Sequence, residues 1–558
     1  MLIRKHVLRF IFIYVGLIAF LIFFGIKLAL IQVFHAEHLA IIAKKQHNHF
    51  IEIEPIRGSI LDRNSRLLAF NVSVYSLFAN PRMMSAQDKQ KMLEVLPGTL
   101  NISPRHIQQR LNKDKLFVWI KRKLSVDIVD RIKSFNIKKL GFRKESKRFY
   151  PNGQLAAHII GFAGIDNQGL EGLELSYNSQ LEGESGWVNF LRDAHQKELL
   201  LDNNFLPPRH GFHLVLTIDE TIQYLAEKSL KAVFEKYKAI AASIVVIDVK
   251  TGEILALANE PTYDLQNVRT SELAHRTNRA VSFVYEPGSV FKFVAAAAAL
   301  EERIFSETDK IYCENGKYRV GNHILHDHRP HATLTFREVI EVSSNIGVTK
   351  IAEKIGPNIF YKYAKRFRFG QKTNIDLLGE VGGNLKPPAR WSKTSIGAIP
   401  IGHEVTVTPL QLACALGAVA NDGLLMKPYI VKYIKDNQDQ IIKGNKPQVV
   451  GRVISSDTAR RLRAILTGVV DEGTGKNARI DGVKVAGKTG TAQKVIDKKY
   501  SHSKFVASFI GFAPSDNPRI AAVVMVDEPR PQYYGGTVAA PVFKEVVENT
   551  LKYLELNR

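Results

Sequence analysis

Three short segments, far apart in the chain, set the tightest limit on its fold. They are Ser289-Val290-Phe291-Lys292, Ser343-Ser344-Asn345 and Lys488-Thr489-Gly490-Thr491. In that order, a Ser-x-x-Lys, a Ser-x-Asn and a Lys-Thr-Gly are the parts of serine acyl transfer. They can act together only if the fold brings three distant stretches to one cleft. Each segment alone is weak, and the chain holds two accidental copies, Ser501-His502-Ser503-Lys504 and Lys250-Thr251-Gly252. The Ser501 copy has polar neighbours and neither partner after it. The Lys250 copy precedes any candidate nucleophile and joins two β-type runs, where it reads as a hairpin turn.

Around Ser289 the local pattern is specific. Pro287-Gly288 ends an extended approach, and the alanine-rich run 290–300 is a strong helix former. Ser289 is expected at the helix N-terminus, with Lys292 one turn away on the same face. A serine hydroxyl is a poor nucleophile until an adjacent base takes its proton. Lys292, desolvated and near another cation, would have a lowered pKa and could be that base. An isolated Ser-x-x-Lys is far more often a helix cap beside a solvated lysine, so the weight lies in the downstream partners.

Ser343-Ser344-Asn345 breaks a helical pattern that begins near Phe336. Alone it would be a capping turn. As chemistry, Ser343 relays a proton towards the leaving group and Asn345 hydrogen-bonds the substrate backbone. Lys488 to Thr491 are expected on a strand edging the cleft, with Gly490 letting a substrate lie close to the backbone. Lys488 and the hydroxyls of Thr489 and Thr491 would receive a carboxylate. The backbone N–H groups of Ser289 and Thr491 are candidates for an oxyanion hole, worth ~3–4 kcal/mol per donor.

A chain of 558 residues is too long for one core and is expected to hold two or more modules. Its net charge of +23 suits an anionic partner such as a phospholipid headgroup or a pyrophosphate-linked substrate. Nucleic acid is disfavoured because no nucleic-acid-binding signature accompanies the charge. Cys313 and Cys414 make no disulfide framework and are expected as buried thiols, with a single bridge left open. His323, His326, His328 and His331 have no zinc spacing, so neither a metal nor a cofactor is expected.

Residues 10–26 form an uncharged run, and after Lys27 the apolar pattern resumes to Phe34. As a helix, residues 10–34 would reach about 37 Å, enough to cross a hydrocarbon core of ~30 Å. No Ala-x-Ala site follows, so an uncleaved anchor is expected in place of a signal peptide. Arg4, Lys5 and Arg9 put the N-terminus in the cytoplasm. The expected organisation is a cytoplasmic tail over 1–9, a transmembrane helix over 10–34, a non-catalytic pedestal over 35–203, a linker over 204–213 and a catalytic module over 214–558. Hairpin, helical middle and returning strands in that last module predict an α+β fold with helices packed on an antiparallel sheet.

With these motifs in place, the chain resembles the class B penicillin-binding proteins along nearly its whole length. The segments that carry the likeness are Arg57 to Arg63, Tyr285 to Ser289, Leu334-Thr335 ahead of Ser343, Gly473-Thr474-Gly475 and Val485 to Gln493. Val74 to Asn80, and the lack of any repeat after Gly536, look more like the division-specific branch. Two positions depart from the family pattern: Ile401-Gly402-His403-Glu404, and Ser65 where a glycine is usual. The resemblance implies a mixed β-rich pedestal, and a transpeptidase domain of antiparallel sheet and flanking helices with an all-helical subdomain. It implies D,D-transpeptidation of peptidoglycan stem peptides, with Ser289, Lys292, Ser343 and Lys488 catalytic and Asn345, Thr489, Gly490 and Thr491 binding substrate. β-Lactams would acylate Ser289 as substrate mimics. It also implies a bacterial inner-membrane location with the catalytic domain periplasmic. A membrane glycosyltransferase and other division proteins would be the partners, because the pedestal is too small for a polymerase domain. An elongation-type transpeptidase, a β-lactamase and a β-lactam sensor or scaffold are the alternatives.

Overall fold

The computed structural model describes residues 2–30, 48–192, 198–497 and 499–556. It divides into two compact units, one of Met1–Pro55 with Gly183–His210, the other of Ile56–Glu182 with Gly211–Arg558. The first holds helix α1 (Leu2–Ala29) and a three-stranded antiparallel sheet of Asn48–Ile53, Gly186–Arg192 and Glu198–Leu206. The membrane span expected over 10–34 runs beyond α1, and residues 31–34 lie outside the described ones. Among the described residues no helix is long and apolar enough to cross a membrane. The apolar side chains of α1 from Ile13 onwards are nonetheless exposed, Leu21 at 61% and Phe23 at 59%.

The second unit is α+β, as expected. Its catalytic-side sheet contains β1 (Ala241–Asp248), β2 (Ile254–Glu260), β3 (Ala486–Ile496), β4 (Lys499–Ala513) and β5 (Ile520–Asp527). The order is β2-β1-β5-β4-β3, antiparallel throughout, so β3 is an edge. β1 and β2 form the predicted hairpin. Asp248 Oδ1 accepts the N–H groups of Lys250 and Thr251, and Gly252 takes φ +79°. The accidental Lys-Thr-Gly is therefore a turn. The accidental Ser501 accepts the N–H groups of Ser503 and Lys504, closing a local loop.

Residues of β1, β2 and β5 are buried throughout or nearly so, which requires cover on both faces. One face carries helices α2 (Glu220–Lys236) and α8 (Ala540–Leu556), whose Ile222, Leu230, Phe543 and Val546 meet Ile244, Val246 and Val524. A larger core on the other side gathers α3 (Lys292–Glu301), α4 (Phe336–Glu341), α5 (Asn345–Ile355), α6 (Pro409–Ala420) and α7 (Ser456–Asp471). Helix α6 is buried at every position, as its unbroken apolar sequence demands.

A second, seven-stranded sheet crosses the junction expected at 204–213. Its path runs Ile441–Gly444, Val431–Lys435, His213–Leu216, Ile60–Leu61, Leu67–Ala79 and Val118–Leu124, with Leu140–Phe149 on Leu67–Ala79. The pair Ile60–Leu214 is parallel and the other pairs antiparallel.

Three distant segments of the expected pedestal meet at one buried ion cluster. Glu174 accepts from Arg57 Nε at 2.7 Å and Arg148 Nε at 2.6 Å. All three side chains are at most 3% exposed. The guanidinium groups also reach the Glu174 carbonyl, the Asn178 amide oxygen and the Gly58 carbonyl. Removing one partner of a buried pair leaves an uncompensated charge, which costs about 3–5 kcal/mol. Glu174→Ala strands two arginines at once. The expected outcome is a marked fall in the denaturation midpoint of the soluble part, while an exposed change such as Asp130→Ala leaves it within experimental scatter.

Candidate active site

Ser289 opens α3 through a 3₁₀ turn, Gly288–Phe291, and the N–H of Lys292 closes on the Ser289 carbonyl. In a 3₁₀ turn residues three apart eclipse each other, so Ser289 and Lys292 share one edge of the helix head. This is a tighter start than the α-helical turn expected from sequence. Gly288 takes φ +59° there, and its N–H reaches the Gly402 carbonyl at 3.1 Å. Gly402 has to be glycine, since a Cβ on it would lie 2.1 Å from the Gly288 oxygen. Ser289 itself is half-buried, while Lys292 is completely buried.

The second motif turns between α4 and α5. Thr335 and Glu338 form a capping box that starts α4, and Ser344 caps α5 by accepting the Gly347 N–H at 2.9 Å. Between the helices Ser343 adopts φ +63°, a left-handed conformation costly for a residue with a Cβ. That conformation presents both its carbonyl and its hydroxyl to Lys292. The Lys292 ammonium donates to Ser343 O at 2.6 Å, Ser343 Oγ at 3.1 Å and Asn345 Oδ1 at 2.7 Å.

The third motif lies on edge strand β3, as expected. Lys488, completely buried, donates to the same Ser343 Oγ at 2.8 Å. The Ser343 hydroxyl thus sits between two lysines, with an acceptor site committed to each. A hydroxyl has two acceptor sites and one donor, so its own proton is left to point elsewhere. Burial pulls Lys292 down to about 7, with the Asp327 carboxylate pulling the other way. Burial, and then repulsion from Lys292, hold Lys488 well below the usual lysine range.

Two expectations for β3 change. Gly490 was expected to make room for a substrate, but a Cβ there would meet Ser508 Oγ at 2.4 Å, Val290 Cγ1 at 2.8 Å and the Pro287 carbonyl at 3.0 Å. Its bareness lets the strand press against the protein's own serine-bearing turn. The threonine hydroxyls, expected at a carboxylate, already hold protein partners: Thr489 bonds Thr474 Oγ1 at 2.8 Å, and Thr491 accepts the Gly535 N–H at 3.0 Å.

Asp327 escaped the sequence reading. Its Oδ2 accepts the Ser344 hydroxyl at 2.6 Å, and its Oδ1 accepts the N–H groups of Asn345 and Ile346. It therefore satisfies the head of α5 and sets the Ser343 turn. The signal was present, since an acidic residue stands inside the His323–His331 stretch, but that stretch was weighed only for metal. Among the described residues no group of three or more His, Cys, Asp or Glu is placed to hold a metal ion. Cys313 and Cys414 are buried and unpaired.

Comparison with known proteins agrees with this geometry. Residues 242–548 match the penicillin-binding protein transpeptidase domain, and 52–216 match the penicillin-binding protein dimerisation domain. Stage V sporulation protein D of Bacillus subtilis is 37% identical over 97% of this chain and 84% of its own length. Peptidoglycan D,D-transpeptidase FtsI of Escherichia coli is 32% identical over 90% of this chain and 85% of its own. Penicillin-binding protein 3 of Mycobacterium tuberculosis, solved with aztreonam, superimposes with a TM-score of 0.70 at 28% identity, over 90% of this chain and 97% of that one. A domain model covering more than half of the chain, and relatives above 30% identity across nine-tenths of it, place this protein among the class B penicillin-binding proteins.

Proposed function

We propose that the protein is a serine peptidoglycan D,D-transpeptidase that cross-links stem peptides through an acyl-enzyme on Ser289. One observation carries the assignment of roles. Lys292, Ser343, Asn345 and Lys488 form a single hydrogen-bonded cluster beside the turn that bears Ser289. Neutral Lys292 takes the Ser289 proton as the oxygen attacks the penultimate D-Ala carbonyl. The N–H groups of Ser289 and Thr491 receive the developing oxyanion. Ser343 delivers its proton to the departing D-Ala amine and is re-protonated by Lys292, which donates to its Oγ and so passes on the proton taken from Ser289, while Lys488 keeps that hydroxyl oriented. An amine from a neighbouring stem then resolves the ester by the reverse path. Asn345, held by its bonds to Lys292 and the His326 carbonyl, and the backbone of Thr489, Gly490 and Thr491 edge the substrate groove.

The organisation that suits this chemistry is a cytoplasmic tail over 1–9, a single membrane anchor over 10–34, a pedestal over 35–203, a linker over 204–213 and a periplasmic catalytic module over 214–558. The exposed apolar face of α1 supports the anchor. Net charge +23 supports work beside anionic lipid and a pyrophosphate-linked product. A membrane glycosyltransferase supplies the strands to be linked, and action at the division septum is the reading favoured by the sequence of the 74–80 strand.

Labelled penicillin should form a long-lived adduct that maps to Ser289 and vanishes in Ser289→Ala; rapid turnover of the label would make the protein a β-lactamase instead. The acylation rate should climb as pH rises through about 7, because protonated Lys292 cannot accept a proton and the neutral amine can. A rate constant flat from pH 5.5 to 8.5 would remove Lys292 from the role of base. Fluorescent fusions should gather at the septum of dividing cells; a side-wall pattern would assign the elongation role.

A further inference from the structure

The stretch from Ile401 to Val407, whose Ile401-Gly402-His403-Glu404 departs from the family pattern, lies against the approach to Ser289 and is stitched to it at four places. Tyr285 and Val407 exchange both backbone hydrogen bonds, at 3.1 and 3.0 Å. Gly288 N–H reaches Gly402 O at 3.1 Å. Between these backbone links stands the Glu286 carboxylate. Its Oε2 accepts from His403 Nδ1 at 2.8 Å, and its Oε1 accepts the Glu404 N–H at 2.9 Å and the Tyr500 hydroxyl at 3.3 Å. The His403 and Tyr500 rings meet edge to face with centroids 4.9 Å apart. Glu404 turns its own carboxylate away, to Ser395 Oγ at 2.8 Å and Lys386 Nζ at 3.6 Å. Among the described residues, His403 is the one side-chain nitrogen donor at hydrogen-bond distance from Glu286.

We propose that His403 is a positioning residue for acylation: by fixing the Glu286 carboxylate it holds Glu286-Pro287-Gly288, and through them the Ser289 hydroxyl, in line with Lys292. The proposal rests on Ser289 being the nucleophile. The Nδ1 atom carries the proton in this contact, because a carboxylate can only accept. The clasp touches no reacting atom. Its effect is geometric, and a displacement of about 1 Å at a nucleophile can cost on the order of a hundredfold in rate. Positions 285 to 288 are set by these stitches to 402–407 on one side and by the close approach of β3 at Gly490 and Ala492 on the other.

The test is pre-steady-state acylation of the full-length protein by fluorescent penicillin, separating the non-covalent dissociation constant from the acylation rate constant. His403→Phe keeps a ring against Tyr500 but removes the N–H. It is expected to lower the acylation rate constant by about tenfold or more, with the dissociation constant within about twofold. His403→Asn, which returns an N–H near the Nδ1 position, is expected to restore most of the rate. Glu286→Gln, which keeps an acceptor oxygen and loses the charge, is expected to slow acylation without lowering the thermal midpoint. Wild-type acylation in His403→Phe, or Asn no better than Phe, overturns the proposal. If the Phe variant does not fold, wild-type acylation in Glu286→Gln overturns it alone, and slowed acylation there supports it. Ser289→Ala in the same assay separates the two ideas, since an adduct that survives it removes the nucleophile assignment and this inference with it.

Discussion

Everything around the site is arranged to let one hydroxyl stand between two buried lysines. Placing two ammonium groups out of water beside each other is expensive, and the chain answers in two ways. It surrounds Lys292 with three oxygen acceptors from Ser343 and Asn345, and burial shifts both lysines towards their neutral forms. Helix α3, which helps seal the cluster, is buried from Lys292 to Leu300. Burial of that helix is thus what draws the Lys292 ammonium towards its neutral form.

The strained and bare positions fall where three chain segments converge. Ser343 is left-handed just before Ser344 to Ile346, which bond Asp327, Gly402 gives way to the Gly288 carbonyl, and Gly490 gives way to Val290 and Pro287. A side chain at either glycine would push the serine turn away from one of its two neighbours. The precision of the cleft therefore comes from close backbone approach as much as from the named catalytic groups.

Much of this was legible in sequence. The ordered motifs, the β1–β2 hairpin and the break after Phe336–Glu341 all have local causes: a turn glycine, a capping box, apolar periodicity. The lowered Lys292 could be anticipated because an alanine-rich helix around a lysine implies desolvation. What could not be read were relationships without a local pattern. Asp327 acts on residues 17 to 19 positions away. The Arg57–Glu174–Arg148 cluster joins segments separated by 117 and 26 positions. Gly490 was read by its residue type as room for a ligand, yet the space beside it is filled by the protein. The sheet that runs from Ile441 to Val118 was invisible because its strands are short, distant and in part exposed.

That sheet has a mechanical meaning. Ile60–Leu61 pairs on one side with Leu67–Ala79 and on the other with His213–Leu216, which pairs in turn with Val431–Lys435. Backbone hydrogen bonds in a ladder share load and break together, not one at a time. A twist delivered to the 60–149 strands is therefore passed along the ladder to residue 431, in the chain that follows the buried helix α6. The non-catalytic strands can work as a lever arm on the catalytic body rather than as a stalk with a swivel at its top.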